Sequence, residues 1–133
     1  MVLIIEIAIA LILKHFVVDY LFNPIFGPSQ KHIYGSRGSL FHSGFHMVSC
    51  LFVLLCFISF EFALLAAIFD GLTHYHIDYI KAKILQKYKK RSKKFKLTIM
   101  VLDQCLHVLN YVIIIVVLIK ETEGWKAACS PWL

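Results

Sequence analysis

Asp70-Gly71-Leu72-Thr73-His74-Tyr75-His76-Ile77-Asp78 closes an apolar run and opens onto a lysine-rich segment. On a helix, Asp70, His74 and Asp78 recur at i, i+4 and i+8 and stack along one face. Carboxylates and an imidazole aligned on an apolar helix cost free energy unless something binds them. Three further pairs have the same i, i+4 spacing: His15 with Asp19, His42 with His46, and Asp103 with His107. The question is what brings four polar pairs into one apolar chain.

The chain has 133 residues, of which 59% are hydrophobic and 17% charged, with a mean hydropathy of +0.74. Soluble domains average about 45–50% apolar and about 25% charged. The composition therefore predicts an all-α integral membrane four-helix bundle, one domain over 1–133. The expected spans cover about 2–22, 40–58, 62–80 and 97–119, at about 20 residues per crossing. No basic residue precedes the first apolar run, as it would in a signal peptide, so that run is expected to remain a span. Asn23-Pro24 and Gly27-Pro28 are expected to end the first span. The turn between the second and third is expected at Glu61.

The net charge of +6 is concentrated. Residues 81–96 hold nine basic side chains and no acidic one. Between apolar spans this reads as a positive-inside signal, not as a nucleic-acid surface. Anionic lipid head groups are a possible partner of Lys81–Lys96, at about 1 kcal/mol per basic residue. The 23–40 and 81–96 connections hold 11 of the 14 Lys and Arg residues, which puts both in the cytoplasm and both termini outside it. Cys50, Cys56, Cys105 and Cys129 form no CxxC pair and read as small apolar residues.

On this map His15, Asp19, His42, His46, His74, Asp78, Asp103 and His107 all lie near the inner ends of their spans. Residues 15–46 read HxxxD then HxxxH, and 74–107 read HxxxD then DxxxH, a pattern that suggests two parallel-repeat hairpins. Imidazole and carboxylate on facing helices are how bundles hold metal ions, and zinc takes both donors. Eight candidates suit one or two divalent ions, zinc above all. The plain alternative is a polar core whose groups hydrogen-bond one another. His76 lies off the His74 face and reads as interfacial. His32 has no assigned role, and Glu6 and Glu61 read as solvated.

The runs KHFVVDYLF (14–22), HSGFH (42–46), LTHYHIDYIK (72–81) and LDQCLH (102–107) resemble a family of small bacterial and phage membrane proteins catalogued as domain of unknown function 3307. The resemblance covers about residues 10–112 and implies a bacterial inner-membrane location. The family's pattern carries Gln a turn after the first Asp, where this chain has Asn23. That family is in turn distantly similar to membrane-bound metal-dependent hydrolases, which implies metal ligation by His15, Asp19, His42, His74, Asp78 and His107.

Three functions fit. The first is a zinc-dependent hydrolase at the cytoplasmic membrane edge, acting on a lipid or lipid-linked substrate, with Asp70 or Asp103 as general base. The second is a metal-ion or proton transporter, although transporter sites usually lie near the midplane. The third is a non-catalytic membrane factor that recruits a partner. One HxxxH and no HxxHH run argue against an iron-dependent membrane oxygenase. The oligomeric state is not legible. A reporter fused after Leu133 should read as outside the cytoplasm. A cytoplasmic signal would overturn the charge-based topology.

Overall fold

The computed structural model describes the backbone of residues 2–26 and 30–129 and the side chains of residues 3–21 and 30–120. Four helices follow one another: α1 (Val2–Phe26), α2 (Arg37–Leu55), α3 (Phe60–Lys87) and α4 (Lys93–Cys129). There is no strand among the described residues. Short connections make sequence neighbours antiparallel. The helices close a ring in chain order, with α2 against α3 as the most extensive contact and α1 against α4 as the slightest.

Several boundaries differ from the expectation. The α2–α3 turn spans residues 56–59, so Glu61 lies in the first turn of α3, where the helix dipole favours a carboxylate. Asn23-Pro24 does not end α1, which runs to Phe26. A proline in a last turn removes only one ladder bond before the helix stops anyway. Gly27 and Pro28 lie outside the described residues. The basic 81–96 segment is mostly helical: α3 runs to Lys87 and α4 begins at Lys93, leaving residues 88–92 as the turn. Helix α2 begins at Arg37 because Ser36 caps it, its hydroxyl accepting from the Ser39 amide.

Polar and apolar residues are inverted relative to a water-soluble bundle. Lys14, His15, His42, His46, Asp70, His74, Asp78, Asp103 and His107 are buried, whereas Phe16, Phe52, Leu65, Leu97 and Val117 are more than half exposed. Two helices, Arg37–Leu55 and Lys93–Lys120, are long and apolar enough to cross a membrane. At one end of the bundle Leu11, Cys50, Leu54, Ala67 and Ile114 form a dry apolar core. Among the described residues Cys50, Cys56 and Cys105 are free thiols.

Two glycines fix how the polar faces meet. Gly35, at φ +74°, occupies the left-handed region that glycine enters without strain. Its amide donates to the Tyr75 hydroxyl at 2.6 Å, tying the 30–36 connection to α3. At Gly71 an added Cβ would lie 2.8 Å from the Met47 Cβ. Only glycine lets α2 and α3 approach closely enough for His42 and His74 to touch. By contrast, a Cβ at Gly44 would meet nothing within 4 Å.

The two glycines therefore predict opposite signs. Gly44→Ala should raise the melting temperature, because Ala is favoured over Gly in a helix by about 1 kcal/mol. Gly71→Ala should lower it despite the same propensity gain, since overpacking costs about 1–3 kcal/mol. Thermal unfolding of both variants in detergent checks this.

Candidate metal centre

Each helix delivers its i, i+4 pair to one interior region. Helix α1 brings His15 and Asp19, α2 brings His42 and His46, α3 brings His74 and Asp78, and α4 brings Asp103 and His107. The eight fall into three overlapping groups, in each of which one donor atom per residue lies within 4.8 Å of the others. These are Asp19, His42, His46 and His74; His15, His74 and His107; and Asp78, Asp103 and His107.

The first group has the closest spacing. The His42 and His46 Nε2 atoms lie 3.1 and 3.2 Å from Asp19 Oδ1. His74 Nε2 lies 3.2 Å from His42 Nε2. These residue types are ones that bind zinc, and the group could hold a metal ion. Within it His46 and His74 stack at 3.5 Å between centroids, and His74 also stacks on His107 at 4.3 Å. The Nε2 atoms of His15 and His107 are buried and have no hydrogen-bond partner among the described residues. The Tyr111 hydroxyl, 3.3 Å from His15 Nδ1, holds that ring from behind. The Nδ1 atoms of His42, His46 and His74 also lack a hydrogen-bond partner among the described residues, so no second hydrogen bond fixes their tautomers.

Three lysines decide which carboxylate is left for an ion. Lys14 Nζ lies 2.5 Å from Asp70 Oδ2 and donates to the His46 carbonyl at 3.0 Å. Asn110 donates to the other Asp70 oxygen at 3.1 Å. Lys31 Nζ lies 2.5 Å from Asp78. Lys81 bridges Asp78 and Asp103 at 2.5 and 2.8 Å. Burial disfavours the Lys81 charge, but Asp78 and Asp103 outweigh it and raise its pKa above the ordinary lysine value. Among these four interior carboxylates, only Asp19 has no ammonium in salt-bridge contact; its partners are His15, His42 and His46. Asp19, 28% exposed, is thus the one of the four that is paired with imidazoles alone, in a group of residues that could hold a metal ion.

Asp70 joins none of the three groups. It is 1% exposed and is held by Lys14 and Asn110. Asp103 lines a cavity of about 500 Å³ together with Asp19, Lys31, His32, Lys81 and Gln104. His76 is exposed and turned onto its own helix, bonding the Leu72 carbonyl. Glu6 and Glu61 are exposed. Sequence reasoning did not assign Lys14, Lys31, Lys81, Asn110 or Tyr111 to the site. Lys81 carries a local signal, since it follows Asp78 by three residues. Lys31 carries none, because its pairing depends on how the connection folds back.

A family model described as "Protein of unknown function (DUF3307)" matches residues 7–133. No curated protein and no solved structure matches the chain.

The Lys14–Asp70 pair sets up a double-variant test. Lys14→Met should destabilise by about 3–5 kcal/mol, because it strands a buried carboxylate. Adding Asp70→Leu to Lys14→Met should restore most of that loss. Denaturant unfolding of the two variants measures it. Additive losses would mean the pair is not coupled.

Proposed function

We propose, for a chain that belongs to the DUF3307 family, an integral membrane four-helix bundle that binds one zinc ion and hydrolyses a lipid or lipid-linked ester at the cytoplasmic membrane edge. The observation that carries this is the lysine-free Asp19 within a cluster of five imidazoles. A polar interior under an apolar exterior suits a bilayer, where every buried charge needs a protein partner. Asp19, His42 and His74 are the proposed ligands, which leaves a fourth position for water, with His46, His15 and His107 beside them. When bound, zinc would lower the pKa of a coordinated water to about 7.

The chain's own residues supply the rest. The cavity lined by Asp19, Lys81 and Asp103 gives water access to the cluster. Asp103 is the favoured general base: its Oδ2 accepts from Lys81 and Gln104, which leaves Oδ1, 3.7 Å from His107 Nε2, to accept a proton. Asp70 is better read as a positioning residue, since Lys14 links it to the His46 carbonyl. Transport is the weaker reading. Beyond Asp70 the interior closes on Leu11, Cys50, Leu54 and Ile114, which offer no polar path onward. The basic turn at residues 88–92 and its flanking helix ends suit anionic head groups on the cytoplasmic side.

Protein purified without chelator should carry about one zinc per chain, held by three protein donors. His74→Ala should lose that zinc and still insert. Asp103→Asn should keep it and lose turnover by about 10²–10⁴-fold, the contribution of a general base. Metal analysis and mass spectrometry of lipids in native-lipid vesicles read both results. Metal-free wild-type protein would leave only a hydrogen-bonded polar core. Zinc flux across the vesicles without lipid turnover would favour transport.

A further inference from the structure

The α1–α4 seam, the slightest contact in the ring, is not filled. A groove of about 540 Å³ runs along it, within the range of sites for small ligands. Ile12, Phe16, Leu97, Val101 and Val108 make its walls apolar, and its floor carries His15, His107 and Tyr111. The floor is the inner face of the imidazole cluster, where the buried Nε2 atoms of His15 and His107 have no hydrogen-bond partner among the described residues. Met100 and Gln104 line both this groove and the polar cavity that holds Lys31, Lys81 and Asp103. The two spaces therefore adjoin at Met100 and Gln104, one lined mainly by apolar side chains and the other by charged ones.

We infer that the α1–α4 groove is a lateral binding site for the hydrocarbon chain of a phosphate-bearing lipid, whose head group enters the Lys31–Lys81 cavity while the chain remains in the groove. The inference rests on the membrane and metal readings above and adds the substrate class and its route of entry. An amphiphile matches this pair of spaces and a purely polar or purely apolar ligand does not. The chain end gains by burial against Phe16, Val101 and Val108. The head end meets the Lys31 and Lys81 ammonium groups, which Asp78 and Asp103 also hold, beside the proposed cation site. Gln104 stands at the junction, where its amide already donates to Asp103 at 3.2 Å.

The test uses the full chain in phosphatidylcholine vesicles doped with phosphatidic acid that carries a photoreactive diazirine on its acyl chain. Adduct positions are read by peptide mass spectrometry, and metal content is measured on the same samples. Adducts should concentrate on the groove walls, several-fold over the opposite face at Phe52 and Leu65. Unlabelled phosphatidic acid should compete, and inorganic phosphate should not. Val108→Trp should abolish the groove adducts while metal content stays at the wild-type level. Val101→Trp serves the same purpose should Val108→Trp fail to insert. Adducts spread evenly around the bundle, competition by diacylglycerol equal to that by phosphatidic acid, or competition by inorganic phosphate equal to that by the lipid would each overturn the inference. Groove-specific labelling of a metal-free protein would uphold the inference and sink the zinc reading. Metal-loaded protein with even labelling would do the reverse.

Discussion

Three buried carboxylates, the half-buried Asp19 and three ammonium groups share one polar region of a bundle whose outside is largely apolar. This imbalance constrains everything else. A buried charge without a partner costs several kcal/mol, so each must find one inside the bundle. Lys14 serves Asp70, while Lys31 and Lys81 serve Asp78 and Asp103. Asp19 is left to imidazoles alone. The carboxylate that no lysine meets stands with His42, His46 and His74 in a group that could hold a metal ion.

Meeting that constraint requires close helix approach and a connection that folds inward. Gly71 lets α3 come against Met47 of α2, which brings the His74 ring onto His42 and His46. The 30–36 connection is pulled onto α3 by the Gly35–Tyr75 hydrogen bond, and this delivers Lys31 to Asp78. The resulting interior has two regions. One end is dry and closed by Leu11, Leu54 and Ile114. The other is polar and reached through the cavity at Asp103 and Lys81.

The i, i+4 spacing of four polar pairs was legible without coordinates, because helix geometry forces such residues onto one face. The all-helical class and the four elements were legible from composition and run length. Boundaries were less so. The α2–α3 turn at residues 56–59 has no glycine or proline to mark it, and Glu61 proved to be a first-turn residue of α3. The third helix is expected to extend into the lysines and does, but charge alone gives no sign that Lys81 is a half-buried partner of two carboxylates.

The sequence by itself determined which residues face inward together: helical periodicity is local and needs no tertiary contact. It could not determine how their charges pair. That depends on distances across helices and on where a connection folds, and these are set by packing at Gly71 and by the Gly35 turn. Only the tertiary structure separated Asp70, locked to Lys14 and Asn110, from Asp19, which shares the same pattern and has no lysine. Only it opened a groove at the α1–α4 seam, since a gap between two helices is a property of the closed ring and not of either helix.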